Sequence, residues 1–166
     1  METDTTEPIR QALGDVVIAQ GRLTDITAWF VVELIGQGDE VGTILTTRLP
    51  FSVLLDVAGA LFEHRATGRP ELADTAVALK ACLSAAQRAD EGRDTLLHSS
   101  WLLTLMARPS PEFIRAIAKV RRIGLKRDLD FKPLDAIRDV CDALNAAADE
   151  VFLFRRRPEI STLLGK

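Results

Sequence analysis

Within Arg93-Asp94-Thr95-Leu96-Leu97-His98-Ser99-Ser100-Trp101, a permanent cation, a carboxylate, a titratable imidazole and an indole fall inside nine residues. Arginine offers two parallel N–H donors to a phosphate, and a neutral imidazole takes up a proton near neutral pH. Together they could hold an RNA phosphodiester and deprotonate the neighbouring ribose 2′-hydroxyl without a metal. His98 would act as base and Arg93 would stabilise charge developing on the phosphorus-bound oxygens. Asp94 and Ser99 are the supporting polar groups.

Five residues apart on an unbroken helix, two side chains diverge by about 140°, too far to grip one small group. Gly92 precedes Arg93 and weakens a helix there. The expectation is therefore a bend at Gly92, after which Asp94 caps a new helical segment running to about Met106. Arg93 and His98 would then border a helix start, where unpaired N–H groups attract anions. A plainer assignment uses the same residues: Arg93 pairs with Asp90 or Asp94, His98 is a half-buried polar group, and Trp101 packs in the core.

The elements around this stretch read as helices. Ile9, Leu13, Val16, Val17, Leu23, Ile26, Phe30, Val31, Leu34 and Ile35 recur at three- and four-residue steps, one buried stripe of a long first helix opened by Pro8. Gly36-Gln37-Gly38 ends it, and Asp39 starts a short segment. A third helix runs from Ser52 to about Ala66 with His64 in its last turn, and a fourth from Glu71 to about Glu91. Lys132-Pro133 opens a last helix with a seam of Leu134, Ile137, Cys141, Leu144, Ala148 and Val151, and Pro158 ends it. The fold expected is all-α, an antiparallel bundle of about four main helices plus short helical segments, forming one domain over 1–166 with flexible ends at 1–6 and 158–166.

Between the motif and the last helix lies a basic tract. From Arg108 to Lys132 there are eight cations against three acids, although the whole chain carries a formal charge of -3. Phe113, Ile117 and Val120 suit a helix, while Ala116, Ala118 and Val120 alternate as a strand would; a helix is expected. Arg115, Lys119, Arg121, Arg122, Lys126 and Arg127 are the candidate RNA contacts, since clustered cations supply phosphate-directed attraction.

An arginine, a polar residue directly after it, a few further residues and then histidine, set in a helical bundle, resembles the motif of the HEPN superfamily. Ser99-Ser100-Trp101 looks like the sequence that follows this histidine in small bacterial HEPN-like proteins. The resemblance implies a compact helical domain that dimerises so that two motifs face one cleft, and a metal-independent endoribonuclease of a toxin or defence system. It also implies Arg93 and His98 as the catalytic pair, Asp94 as their polar companion, RNA as ligand and a cognate inhibitor or antitoxin protein as partner. The competing class is a noncatalytic helical module whose long first and last helices make a homodimer or dock a partner protein.

Composition bounds the alternatives. Hydrophobic residues are 47% and charged residues 27% of the chain, the balance of a soluble globular domain rather than a disordered one. No run approaches about 18 uncharged apolar residues and the first seven carry three acids, so a cytoplasmic protein without a membrane partner is expected. Cys82 and Cys141 fall in separate helices and make no zinc set, and neither His64 nor His98 has the glutamate three residues before it that a di-iron bundle uses. Neither a cofactor nor a metal is expected.

Overall fold

The first helix, α1 (Glu7–Ile35), buries Ile9, Ala12, Val16, Ala19, Leu23, Thr27, Phe30, Val31 and Leu34 in a stripe that follows the 3.6-residue period along the whole helix, and Val32 on its other side. Val17, expected in that stripe, is 55% exposed, because one residue on from Val16 the helix has turned by about 100°. The Thr27 hydroxyl donates to the Leu23 carbonyl at 2.8 Å, which satisfies its own buried oxygen. Gly36 ends the helix with φ +69°, a left-handed conformation that glycine adopts without penalty. The computed structural model describes residues 7–36, 39–97, 100–103, 113–121, 124–132 and 134–165, the strands by their backbone.

A short helix, α2 (Asp39–Thr46), folds back along the end of α1. Gly42 allows the approach: a Cβ there would come within 2.6 Å of Val32 Cγ1. The third helix, α3 (Phe51–Ala66), starts after Pro50, and a 3-10 turn (Pro70–Leu72) leads into α4 (Ala73–Leu97). Arg65 in the last turn of α3 donates from Nε to the Leu34 carbonyl at 2.5 Å and from Nη2 to the Ile35 carbonyl at 3.3 Å. It thereby caps carbonyls that the end of α1 leaves without helical partners.

The last long helix, α5 (Leu134–Arg155), lies between α1 and α4. Arg22 reaches Asn145 at 3.2 Å and Asp149 at 2.5 Å, and Glu33 pairs with Arg155 at 3.1 Å, so α1 and α5 run side by side in the same direction. On the other flank Ala85 and Ala89 face Ala147 and Ala143, and Gly92 faces Val140, so α4 is antiparallel to α5. It is likewise antiparallel to α3, where Gly59 approaches Leu83. The body is thus the expected all-α bundle of four main helices, with α4 antiparallel to its neighbours and α1 parallel to α5.

Its core joins the helices at one end through aromatic rings. Phe154 meets Phe30 and Phe62 edge-on, with centroids 6.0 and 6.4 Å apart. Leu23, Leu54, Ile137, Leu144 and Val151 continue the core. Burying each side chain of this size contributes roughly 1.5–3 kcal/mol.

Two expectations are corrected here. The end at 158–166, expected to be a flexible tail, forms α6 (Pro158–Leu163), whose Ile160 and Leu163 are buried in the core. A proline that cannot continue one helix is well suited to the first turn of the next. The basic tract, expected to be helical, supplies two strands, β2 (Phe113–Arg121) and β3 (Gly124–Lys132), which form with β1 (Ser100–Leu103) a three-stranded antiparallel sheet in the order β1-β2-β3. Alternation of apolar and charged residues in β2 and β3 prevails over their helical spacing, since paired strands bury one face of a period-2 pattern.

Candidate functional site

Helix α4 runs through Gly92 without a break and ends at Leu97. The expected bend is absent, and so is the helix expected from Asp94 to Met106, which is replaced by the last turn of α4 and by β1. Asp94 therefore sits in the final turn of one helix instead of capping the start of another. The end of α4 presents carbonyl oxygens and partial negative charge, not the N–H groups an anion needs. His98 and Ser99 lie outside the described residues.

Arg93 is well held. Its Nη2 donates to Asp90 Oδ1 at 2.5 Å and its Nη1 lies 2.6 Å from Asp94 Oδ1. The Arg93 side chain is 19% exposed, Asp90 is 16% and Asp94 is 53% exposed. One cation between two carboxylates leaves a local charge of about -1 when all three are ionised. A phosphate approaching Arg93 must displace one carboxylate, and Asp94, more exposed and adjacent in sequence, is the easier of the two. The plainer assignment for Arg93 describes what is observed.

The sheet gathers charge in a different way. The β2–β3 register sets Lys119 opposite Lys126, Arg115 opposite Asp130, Ile117 opposite Asp128, and Arg121 opposite Gly124. The β1–β2 register sets Trp101 opposite Arg115 and Leu103 opposite Phe113. Directly opposed residues share a face, and alternate residues along a strand share it too. One face therefore carries Arg115, Lys119, Arg121, Lys126 and Lys132 with Trp101, Leu103, Phe113 and Ile117 among them, against Asp128 and Asp130. The other carries Ile114, Ala116, Ala118, Val120, Leu125, Leu129 and Phe131, with Arg127 as its one charge.

Four of the six candidate RNA contacts thus share a face. Arg127 is on the opposite one, and Arg122 lies outside the described residues. Lys132, Trp101 and Phe113 join the basic face although the sequence did not single them out as RNA contacts; strand pairing, not linear spacing, brings them there. Like charges directly opposed on antiparallel strands destabilise the pair, and an anion bound between Lys119 and Lys126 would offset that cost.

Other reactive groups stay apart. His64 is exposed in the last turn of α3. Cys82 is buried, and desolvation with the nearby Glu150 carboxylate pushes its thiol up to about 11 despite the opposing Arg157. Cys141 is half-buried and its thiol is also raised, by desolvation first and then by Asp15 and Asp142. An open groove of about 510 Å³ between α3 and α4 is floored by Leu55, Gly59 and Leu83 and edged by Asp56, Glu63 and Lys80. Among the described residues, no helix is long and apolar enough to cross a membrane. Comparison with protein-family models, with characterised proteins and with solved structures returned no match.

Proposed function

We propose that this protein binds RNA on the basic face of its three-stranded sheet. The observation that carries this is the pairing register, which collects Arg115, Lys119, Arg121, Lys126 and Lys132 on one face together with Trp101 and Phe113. Cations track a phosphate backbone and aromatic rings stack on unpaired bases, the combination by which single-stranded nucleic acid is held with little sequence preference. The opposed Lys119 and Lys126 are the first residues expected to displace counterions from the phosphates of a bound RNA.

Cleavage belongs to the proposal through the HEPN resemblance, with a second copy of the chain and a cognate inhibitor protein as further partners. In that extension His98 takes the proton of a ribose 2′-hydroxyl, which attacks the adjacent phosphorus to form a 2′,3′-cyclic phosphate while the bond to the 5′-oxygen breaks; the imidazolium returns the proton to that oxygen, and Arg93 ligates the phosphate after exchanging Asp94 for it. The double pairing of Arg93 favours the second reading, a noncatalytic helical module, for the α4 end itself.

The experiment separates binding from cleavage. Binding of short single-stranded RNA is followed by fluorescence anisotropy across a salt series, and integrity of total and structured RNA is followed in EDTA. Lys119→Ala/Lys126→Ala should weaken binding and flatten the salt dependence by about 1.4, since each lost single-strand phosphate contact removes about 0.7 from the slope. A wild-type protein that binds no RNA, or a double variant with an unchanged slope, would remove the reading. Metal-free cleavage that His98→Ala abolishes supports the extension. RNA that is bound but left intact by wild type leaves the noncatalytic binder.

A further inference from the structure

The short helix α2 turns its apolar side outward. Val41, Ile44 and Leu45 are 48%, 75% and 56% exposed, while its buried positions are Gly42 and Thr46. A surface helix ordinarily buries its apolar stripe and shows its polar one to water. Here the order is reversed, and an exposed apolar row at helical spacing is the anchor set of a helix that lies in a groove.

The matching surface lies between α3 and α4. That groove has a volume of about 510 Å³, and its floor includes Gly59, which has no side chain to fill it. Leu83 of α4 is level with Gly59, 3.7 Å from where a Cβ would stand. Lys80, three residues before Leu83, edges the groove from α4, and Asp56, three residues before Gly59, edges it from α3. Because the two helices are antiparallel, Lys80 and Asp56 fall on opposite sides of Gly59, about 9 Å apart along the groove.

We infer that α2 of one copy of this chain docks in the α3–α4 groove of a second copy. Charge sets its direction. Glu40 and Arg48 stand four residues to either side of Ile44, about 12 Å apart along a helical turn that continues through Thr47. With Ile44 over Gly59, the Glu40 carboxylate reaches Lys80 and the Arg48 guanidinium reaches Asp56. The reverse direction would set Glu40 beside Asp56 and Arg48 beside Lys80, two like-charge meetings. The turn of the helix agrees: with Val41 and Ile44 toward the floor, Glu40 lies on the flank facing α4, which carries Lys80. All four charged residues are exposed, and among the described residues none of them has an ion pair within the subunit.

Polarity also fixes how the copies stand. α2 runs opposite to α1, since Gly42 meets Val32, and α1 ends beside the end of α3, where Arg65 caps its last carbonyls. The docked helix runs opposite to the α3 that receives it as well, so neighbouring bundles are parallel. α2 rides on α1 while the groove lies between α3 and α4, so each copy gives its helix to one neighbour and its groove to another. Such a head-to-tail contact propagates along a row, unlike the two-motif cleft that the HEPN resemblance implies. Neither the sheet nor Arg93 takes part, so the contact stands apart from RNA binding. One helix of eight residues in one groove buries less than the roughly 1,200 Å² of a standard interface, and the association is accordingly weak.

Sedimentation velocity over a concentration series tests the contact. Wild type should pass from monomer to dimer and larger species. Ile44→Asp, which spoils the helix, and Gly59→Arg, which fills the groove, should each stay monomeric at every concentration. Ile44 is 75% exposed and a Cβ at Gly59 meets only Leu83, so both variants should fold, as checked by circular dichroism and the thermal midpoint. Mixed together, they should form one-to-one dimers and nothing larger, because the Ile44→Asp chain keeps its groove and the Gly59→Arg chain keeps its helix. Glu40→Lys should weaken association about fivefold, the size of one exposed ion pair, and adding Lys80→Glu to the same chain should restore it. A wild type that stays monomeric, association untouched by Ile44→Asp, a mixture of the two variants that does not associate, or a charge exchange that restores nothing would overturn the inference.

Discussion

Replacing Gly92 by alanine tests the path of the chain at the point where the two accounts of the motif diverge. In the unbroken helix, a Cβ at residue 92 meets Val140 Cγ2 at 3.9 Å, an ordinary van der Waals distance, and nothing closer. Glycine is about 0.8–1.0 kcal/mol less favourable than alanine in a helix interior, and the added methyl group buries a little surface against α5. Gly92→Ala should therefore stabilise the protein by about 1 kcal/mol, raising the thermal midpoint of a chain this size by about 2–4 °C. Gly14→Ala supplies a calibration, because its Cβ meets nothing and reports helix propensity alone. Thermal and urea unfolding followed by circular dichroism read both. RNA affinity should not change. A chain bent at Gly92 gives the opposite sign; a lowered midpoint, or RNA binding lost with the fold intact, would refute the straight helix and restore the bend.

Two further outcomes follow from the core and the thiols. Phe154→Ala removes the ring that joins Phe30 to Phe62 and should cost about 3–5 kcal/mol, a large part of the stability of a single domain, read as a lowered urea midpoint with helical signal retained at zero denaturant. Cys82, raised to about 11, keeps its proton in the folded state across a pH range in which the unfolded chain loses it. The folded state is therefore favoured below about pH 9 and loses on the order of 2 kcal/mol as pH rises toward 11. Cys82→Ala should flatten that alkaline decline, and a decline unchanged in the variant would assign it to other groups. A thiol reagent at pH 8 should modify Cys141 ahead of Cys82.

The helices were legible because each one buries a single stripe and carries its own punctuation. Pro8, Gly36 and Pro158 stand at or beside boundaries the structure observes, and the seam from Ile137 to Val151 faces the core as its spacing predicts. The errors have two causes. Where apolar residues satisfy both periods, as from Phe113 to Val120, helix and strand are distinguished by pairing partners distant in sequence, which no local pattern contains. At Gly92 the weak intrinsic preference of one glycine was set against packing of α4 on α5, and packing prevailed. The close partners of Arg93 were legible because Asp90 and Asp94 lie within one turn of it, whereas the basic face was not, because it depends on a register.

The sheet departs from and returns to the bundle at nearly one point. Thr95 and Leu96 in the last turn of α4 line the same crevice as Ala136 and Val140 in the first turns of α5. The gap that a replacement linker must span is therefore short, and the entropy of closing a flexible loop grows only slowly with its length. Exchange of residues 98–133 for a few glycines and serines should leave a bundle that still closes on its own aromatic end, while the excised strands could be grafted between two antiparallel helices elsewhere. Such an arrangement lets selection alter the strands without disturbing what keeps the bundle folded.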